Sequence, residues 1–384
     1  VTPARRAAFQ VLLRVHRGEF AADLVHQAAE RLSAEDARLA TEIVMGCLRR
    51  QPQLDFLVTH YSGRPVAKLD IEVLIALRIA VYQLRFLHRI PPHAAVSESV
   101  QLTRLAKRAS AAGFVNAVLR KVDRSPVAWP DLPTEFCLPS WLFARWQQAF
   151  GPARTAALAA SLLIPPETYI HVPKGREVEA EPLDVEPTAV PGCFRLKGDS
   201  PGPFRIQDIG SQAVGLLLDP QPGMIVLDAC AAPGNKTAQL LESGARVVAC
   251  DISASRLASL QSYGCSLVVA DSARLPFGTR FDRILVDAPC SGTGTIRRNP
   301  EIKWRVREED LPAHRERQLD ILRACARVLA PGGRLVYSTC SLESIENEEV
   351  IERFRRSSGL ALLDTIRRVP GEQPGDGFYA AVLA

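Results

Sequence analysis

The sequence predicts an α/β protein. A mostly parallel sheet with flanking helices fills the C-terminal half, an all-α segment forms the N-terminal third, and a small α+β segment connects them. Three observations carry this. Residues 1 to about 125 show helical periodicity throughout, residues 126–205 are interrupted by thirteen prolines, and from Gln207 onward apolar strand-like runs alternate with amphipathic stretches. That last alternation is the pattern of βα units. The expected domains are therefore 1–125, 126–205 and 206–384.

In the first segment Ala8, Leu12 and Val15 share one helical face, and Leu74, Leu77, Val81 and Leu84 repeat at helical spacing. Ser33 followed by Asp36 resembles a capping box ahead of the Arg38–Arg50 segment. Pro91-Pro92 separates two helices. In the connecting segment helices are expected at about Ser140–Phe150, carrying Trp141 and Trp146, and at Pro152–Leu163, with short strands elsewhere.

In the third segment the expected strands are Met224–Asp228, Arg246–Asp251, Ser266–Ala270, Asp282–Asp287, Arg334–Ser338 and Phe378–Leu383. The expected helices are Thr237–Ser243, Ser253–Tyr263, Asp310–Leu329 and Ile345–Ser357.

Composition narrows the class. Hydrophobic residues make up 47% and charged residues 23% of the chain, as in soluble globular proteins. No apolar run approaches the ~20 residues of a membrane helix, so a membrane partner is not expected. The N-terminus lacks a signal-peptide core, which points to a cytoplasmic protein. Nine cysteines, an odd number with no CxxC pair, argue against a disulfide framework or a metal site. Residues 1–135 carry 19 Lys+Arg and 13 Asp+Glu, whereas the rest of the chain is nearly balanced. A basic excess confined to one third suits an acidic partner such as nucleic acid. Candidate phosphate contacts are Arg5, Arg6, Arg49, Arg50, Arg104, Lys107, Arg108, Arg120 and Lys121, with Arg297, Arg298 and Lys303 nearer the later motifs.

The first strand of the third segment runs into Cys230-Ala231-Ala232-Pro233-Gly234-Asn235-Lys236-Thr237. Small residues after a first strand bring the backbone close to a ligand at a helix N-terminus. Asp251, 23 residues past Asp228, suits a ribose diol. Asp271 ends the third expected strand, within reach of an adenine amino group, and Arg256 lies in the helix after Asp251. The loop lacks G-x-G-x-x-G and any phosphate cradle. An adenosine cofactor without pyrophosphate, S-adenosyl-L-methionine (SAM), fits better than a dinucleotide.

The fourth expected strand ends in Asp287-Ala-Pro-Cys290-Ser-Gly-Thr-Gly and the fifth in Ser338-Thr-Cys340-Ser. Two cysteines at the ends of different strands are unusual, since a lone cysteine most often behaves as a small buried hydrophobe. That bland reading is assigned to Cys47, Cys137, Cys193, Cys250, Cys265 and Cys325. A thiolate adding to carbon 6 of cytosine makes carbon 5 an enamine carbon that attacks a methyl sulfonium. Such chemistry also needs a group near ring nitrogen 3 or the exocyclic amine, for which Asp287 is the candidate, and a cation such as Lys236 to stabilise charge or lower a thiol pKa. An amino-group methyltransferase is disfavoured, because those enzymes carry Asn/Asp-Pro-Pro-aromatic where this chain has Asp287-Ala-Pro-Cys290.

These stretches resemble the RNA 5-methylcytosine methyltransferases, specifically the RsmB (Sun/Fmu) branch. The matching segments are Gln207–Gln212, Leu227–Thr237, Asp287–Gly294, Arg298–Trp304, Ser338–Ser341 and Glu346–Glu348. The resemblance implies a Rossmann-like SAM-dependent methyltransferase domain, an N-terminal NusB-like RNA-binding domain ending near Phe114–Arg120, and cytidine in 16S ribosomal RNA of the small subunit as substrate. It implies Cys340 as nucleophile and Cys290 as the residue assisting product release. Cys230 through Lys236, Asp251, Asp271 and Asp287 match SAM-binding positions. A single chain with no metal is expected. The family usually has Gly-Gly-Lys-Thr where this chain has Gly234-Asn235-Lys236-Thr237. Asn is the non-glycine residue most tolerant of positive φ. The connecting segment also departs from the family, reading Ile170-His-Val-Pro173. The alternative is a non-catalytic RNA-binding ribosome assembly factor with a vestigial methyltransferase domain.

Overall fold

The computed structural model describes all 384 residues, Val1–Ala384. They form two compact units. One comprises Val1–Ile164 together with Ile296–Arg305, and the other Pro165–Thr295 with Val306–Ala384. The expected connecting segment is thus shared. Its helices Ser140–Phe150 and Pro152–Ser161 belong to the first unit, and its strands to the second.

The first unit is helical. Ser33 caps Ala34–Arg49 by accepting the Asp36 amide at 3.2 Å, as its sequence position predicts. Gly63, in the left-handed region at φ 67°, ends Gln51–Ser62. Pro91-Pro92 separates Ile71–Phe86 from Pro92–Leu105. Helix Ile71–Phe86 buries eleven of its residues, Leu74, Leu77, Val81 and Leu84 among them, which makes it the central helix of the bundle. Each fully buried leucine contributes roughly 2–3 kcal/mol by removal from water.

Four expected phosphate contacts, Arg5, Arg49, Arg297 and Lys303, lie buried inside this unit instead. Arg5 is buried and donates to Gln83 and Glu98. Arg49 is buried with its guanidinium at the Arg297 carbonyl. Lys303, 1% exposed, donates to the Arg49 carbonyl at 2.8 Å. Hydrogen-bonding capacity spent on buried acceptors is not available to RNA. Arg108 is held by Asp70 and Glu72, whereas Arg6, Arg104, Lys107, Arg120 and Lys121 are exposed.

The second unit holds two sheets. A small antiparallel sheet contains β1 (Thr168–His171), β2 (Val185–Pro187), β3 (Cys193–Leu196) and β4 (Arg205–Ile206), in the order β2-β3-β1-β4. The large sheet contains β5 (Ile225–Asp228), β6 (Arg246–Asp251), β7 (Ser266–Val269), β8 (Phe281–Asp287), β9 (Leu329–Thr339), β10 (Leu362–Arg368) and β11 (Phe378–Leu383), in the order β10-β11-β9-β8-β5-β6-β7. β7, β6, β5, β8 and β9 are parallel, and β11 and β10 add antiparallel. The expected mostly parallel sheet is therefore present, with β10 as a strand not expected from the sequence. The chain runs from β5 outward through β6 and β7, then returns to β8 on the other side. That reversal opens a crevice at the carboxyl ends of β5 and β8, the usual ligand position of open α/β sheets. No helix of the chain is long and apolar enough to cross a membrane.

Candidate active site

β5 ends at Asp228, which is buried and accepts the Thr237 hydroxyl at 2.7 Å. Burial holds its carboxyl up at about 7, against the opposing pull of the Thr237 hydrogen bond. This bond ties the strand end to helix Asn235–Leu241 across the intervening loop. Gly234 turns the chain into that helix at φ 108°, and an added Cβ would lie 2.7 Å from Leu260 Cγ. Glycine is therefore required at 234. Asn235 is the first residue of the helix and has no positive φ. The tolerance argued for it from the sequence is not called upon, because Gly234 alone makes the turn.

The loop is fastened to β6. The Ala231 amide donates to the Cys250 carbonyl at 2.9 Å, and the Ala232 amide to Asp251 Oδ2 at 3.1 Å. Arg256 donates to the Ala232 carbonyl at 2.7 Å, so it braces the loop. Ser253 donates its amide to Asp251 Oδ1 at 2.9 Å. Each carboxylate oxygen keeps a second lone pair for a ligand hydroxyl. Ile252, directly after Asp251, is 64% exposed and offers an apolar face to a flat ring. It was not singled out in the sequence, where an isoleucine at a strand end looks like core. Asp271 lies two residues past β7 and not at its end. Arg317 holds it in a two-point ion pair, and its carboxyl falls below the usual range mainly through that hydrogen bond.

Asp287 ends β8. Lys236 Nζ donates to its Oδ2 at 2.7 Å, and Ser338 Oγ, on β9, to its Oδ1 at 2.7 Å. Two donors, one of them a cation, suit a carboxylate. Lys236 hydrogen-bonds Asp287 and makes no hydrogen bond to either thiol.

Cys290 and Cys340 come together from neighbouring parallel strands. Their sulfurs are 3.5 Å apart, and both residues are half-buried. The hydrogen bond to Cys340, then burial, push the Cys290 thiol well above its ordinary range. Either sulfur can donate to the other across this contact. Cys47, Cys137, Cys193, Cys250 and Cys325 are buried and Cys265 half-buried, all unpaired.

A glycine-turned loop, an acidic residue at the next strand end, an exposed apolar side chain beside it and no phosphate cradle make a site that fits SAM. The expected SAM positions, Cys230 through Lys236 with Asp251 and Asp287, line one continuous edge of the sheet.

Comparison with known proteins agrees. The family profile "16S rRNA methyltransferase RsmB/F" matches residues 215–384, and that of the NusB family matches residues 2–124. The ribosomal RNA small subunit methyltransferase B of Enterobacter sp. (strain 638) is 33% identical over 96% of this chain and 95% of its own. The probable ribosomal RNA small subunit methyltransferase B of Bacillus subtilis (strain 168) is 33% identical over 92% of this chain and 88% of its own. Among solved structures, that of PH0851 superposes with a TM-score of 0.85 at 25% identity, covering 100% of this chain and 99% of the other. A methyltransferase homologue from Pyrococcus horikoshii gives 0.57 at 27% identity, over 65% of this chain and 96% of the other. The chain belongs to the ribosomal RNA small subunit methyltransferase B family of SAM-dependent methyltransferases.

Proposed function

We propose that this protein methylates carbon 5 of a cytidine in 16S ribosomal RNA, through a covalent bond between Cys340 Sγ and carbon 6 of the base. The observation that carries this reading is the thiol pair at the ends of β8 and β9, on the same sheet edge as the Lys236–Asp287–Ser338 cluster.

Cys340 adds to carbon 6, and the ring's π electrons move to make carbon 5 nucleophilic. Bound SAM supplies the electrophilic methyl group. Asp287, held in place by hydrogen bonds from Lys236 and Ser338, accepts a hydrogen bond from the exocyclic amine and fixes the ring. Solvent water takes the carbon 5 proton, the electrons of that C–H bond re-form the carbon 5–carbon 6 double bond, and the Sγ–carbon 6 bond breaks with its electron pair leaving on the Cys340 sulfur. The protonated Cys290 donates to that sulfur as it departs. The target base must leave any stack to reach the thiols. The exposed cations Arg6, Arg104, Lys107, Arg120 and Lys121 of the helical unit are phosphate contacts in this reading, and the protein acts as a cytoplasmic monomer.

The test is nucleoside analysis of small-subunit ribosomal RNA after incubation with labelled SAM. Labelled 5-methylcytidine with wild type and none with Cys340→Ala, at equal SAM binding, is the expected result. Label in any other nucleoside, or undiminished product from Cys340→Ala, refutes the proposal.

A further inference from the structure

Each catalytic-site cysteine is followed by a serine, and both serines converge on one buried carboxylate. Ser341 Oγ donates to Glu346 Oε2 at 2.5 Å, and Ser291 Oγ donates to the same oxygen. The Ser291 amide donates to Oε1 at 2.9 Å, and Gln318 Nε2 to Oε1 at 3.1 Å. Gln318 also reaches the Pro289 carbonyl at 3.0 Å. Glu346 is fully buried, and its own carbonyl accepts the Tyr337 hydroxyl at 2.6 Å. Its carboxylate meets four donors and no cation.

A buried carboxylate without a counter-ion is costly, and here only the hydrogen bonds offset that cost. An apolar residue would hold a fold core more cheaply. What the carboxylate supplies in addition is a two-sided tie: two of its bonds hold the residue after Cys290, one the residue after Cys340, and Gln318 the residue before Cys290.

We propose that Glu346 is a positioning residue that latches the Cys290 loop to the Cys340 loop and sets the separation of the two sulfurs on which product release depends. This rests on the thiol roles proposed above. Attack needs Cys340 alone, whereas release needs both sulfurs in register, so loosening the latch slows release more than attack. The negative charge of Glu346 also opposes ionisation of Cys290, behind the larger effects of the Cys340 hydrogen bond and burial.

The experiment compares Glu346→Gln and Ser341→Ala with wild type and Cys290→Ala in the full chain, using a small-subunit ribosomal RNA transcript and labelled SAM. SAM affinity and first-turnover rate within threefold of wild type are expected. Multiple turnover should fall at least tenfold, with a protein–RNA adduct surviving denaturation as in Cys290→Ala. Turnover within twofold of wild type in both variants overturns the latch. So does a loss of SAM affinity and first-turnover rate parallel to the loss of turnover, which marks a residue that only holds the fold. If Cys290→Ala itself gives no adduct, the thiol roles fail. The latch is then judged by bridging of Cys290 and Cys340 with phenylarsine oxide, in which two thiols displace its oxygen as water. Bridging at least tenfold slower in Glu346→Gln supports it, and an unchanged rate overturns it.

Discussion

Lys236 Nζ lies 2.7 Å from Asp287 Oδ2, which joins the cofactor loop after β5 to the strand end that precedes Cys290. A charge-assisted hydrogen bond of this kind is worth roughly 1.5–3 kcal/mol. Lys236→Met is expected to lower kcat by about 10- to 100-fold, because Asp287 loses a hydrogen bond that holds it in place. Steady-state kinetics check this, and activity within twofold of wild type contradicts it.

Gly234→Ala is expected to weaken SAM binding at least tenfold and to cost ~1–3 kcal/mol of stability. The cause is the φ of 108° together with the overlap on Leu260. Calorimetric titration with SAM and thermal melts check both. Asn235→Gly is the contrasting variant, expected to leave SAM affinity within threefold, since residue 235 is already helical.

Burial pushes the Lys303 ammonium down to about 7. The folded value lies below the unfolded one. Below pH 7 both states are protonated and the folded state bears the full burial cost. From pH 7 to about 10 the unfolded chain keeps a proton that the native state has lost, so stability rises with pH, by up to ~4 kcal/mol. Lys303→Met removes this dependence. Its melting temperature should exceed that of wild type by more at pH 6.5 than at pH 9.5, and a gap independent of pH contradicts the assignment.

Asp228 gives the opposite sign of pH dependence. Its folded value, about 7, lies above the ordinary carboxyl range, so its contribution is fully present below pH 4 and is lost as pH rises to 7. Asp228→Asn should gain in denaturant midpoint relative to wild type between pH 4.5 and pH 7.5. A constant difference across that range would falsify the reading.

What the sequence displayed and what it concealed follow from how each element is stabilised. β5, β6 and β8 are covered on both faces, so they read as apolar runs. β10 is an edge strand, half-exposed with Asp364, Thr365, Arg367 and Arg368 in it, and it carries no such run. β9 begins at Leu329, earlier than expected, because Pro331, Gly332 and Gly333 hide its first half. The ladder is irregular there, between Phe281 and Arg283.

The site shows the same division. Cys340, Cys290 and Asp287 stood out as residue types at strand ends, and Lys236 as part of the loop-to-helix stretch after β5. Their partners did not. Ser338 meets Asp287, Arg317 meets Asp271, and Glu346 meets Ser291 across 46 to 55 positions of chain, and no local pattern encodes such pairs. Segment Ile296–Arg305 looks from its position like part of the sheet unit. Instead Glu301 accepts the Ala21 amide at 2.9 Å and Lys303 binds the Arg49 carbonyl, which fold it into the helical unit.

The proposed mechanism rests on a division of labour between two thiols 3.5 Å apart. Its most direct test is a denaturing gel of Cys290→Ala, Cys340→Ala and the double variant after incubation with ribosomal RNA and labelled SAM. The expected result is a labelled protein–RNA band in Cys290→Ala that is absent from Cys340→Ala and from the double variant. A band that persists without Cys340, or one that appears only when Cys340 is replaced, would contradict the account.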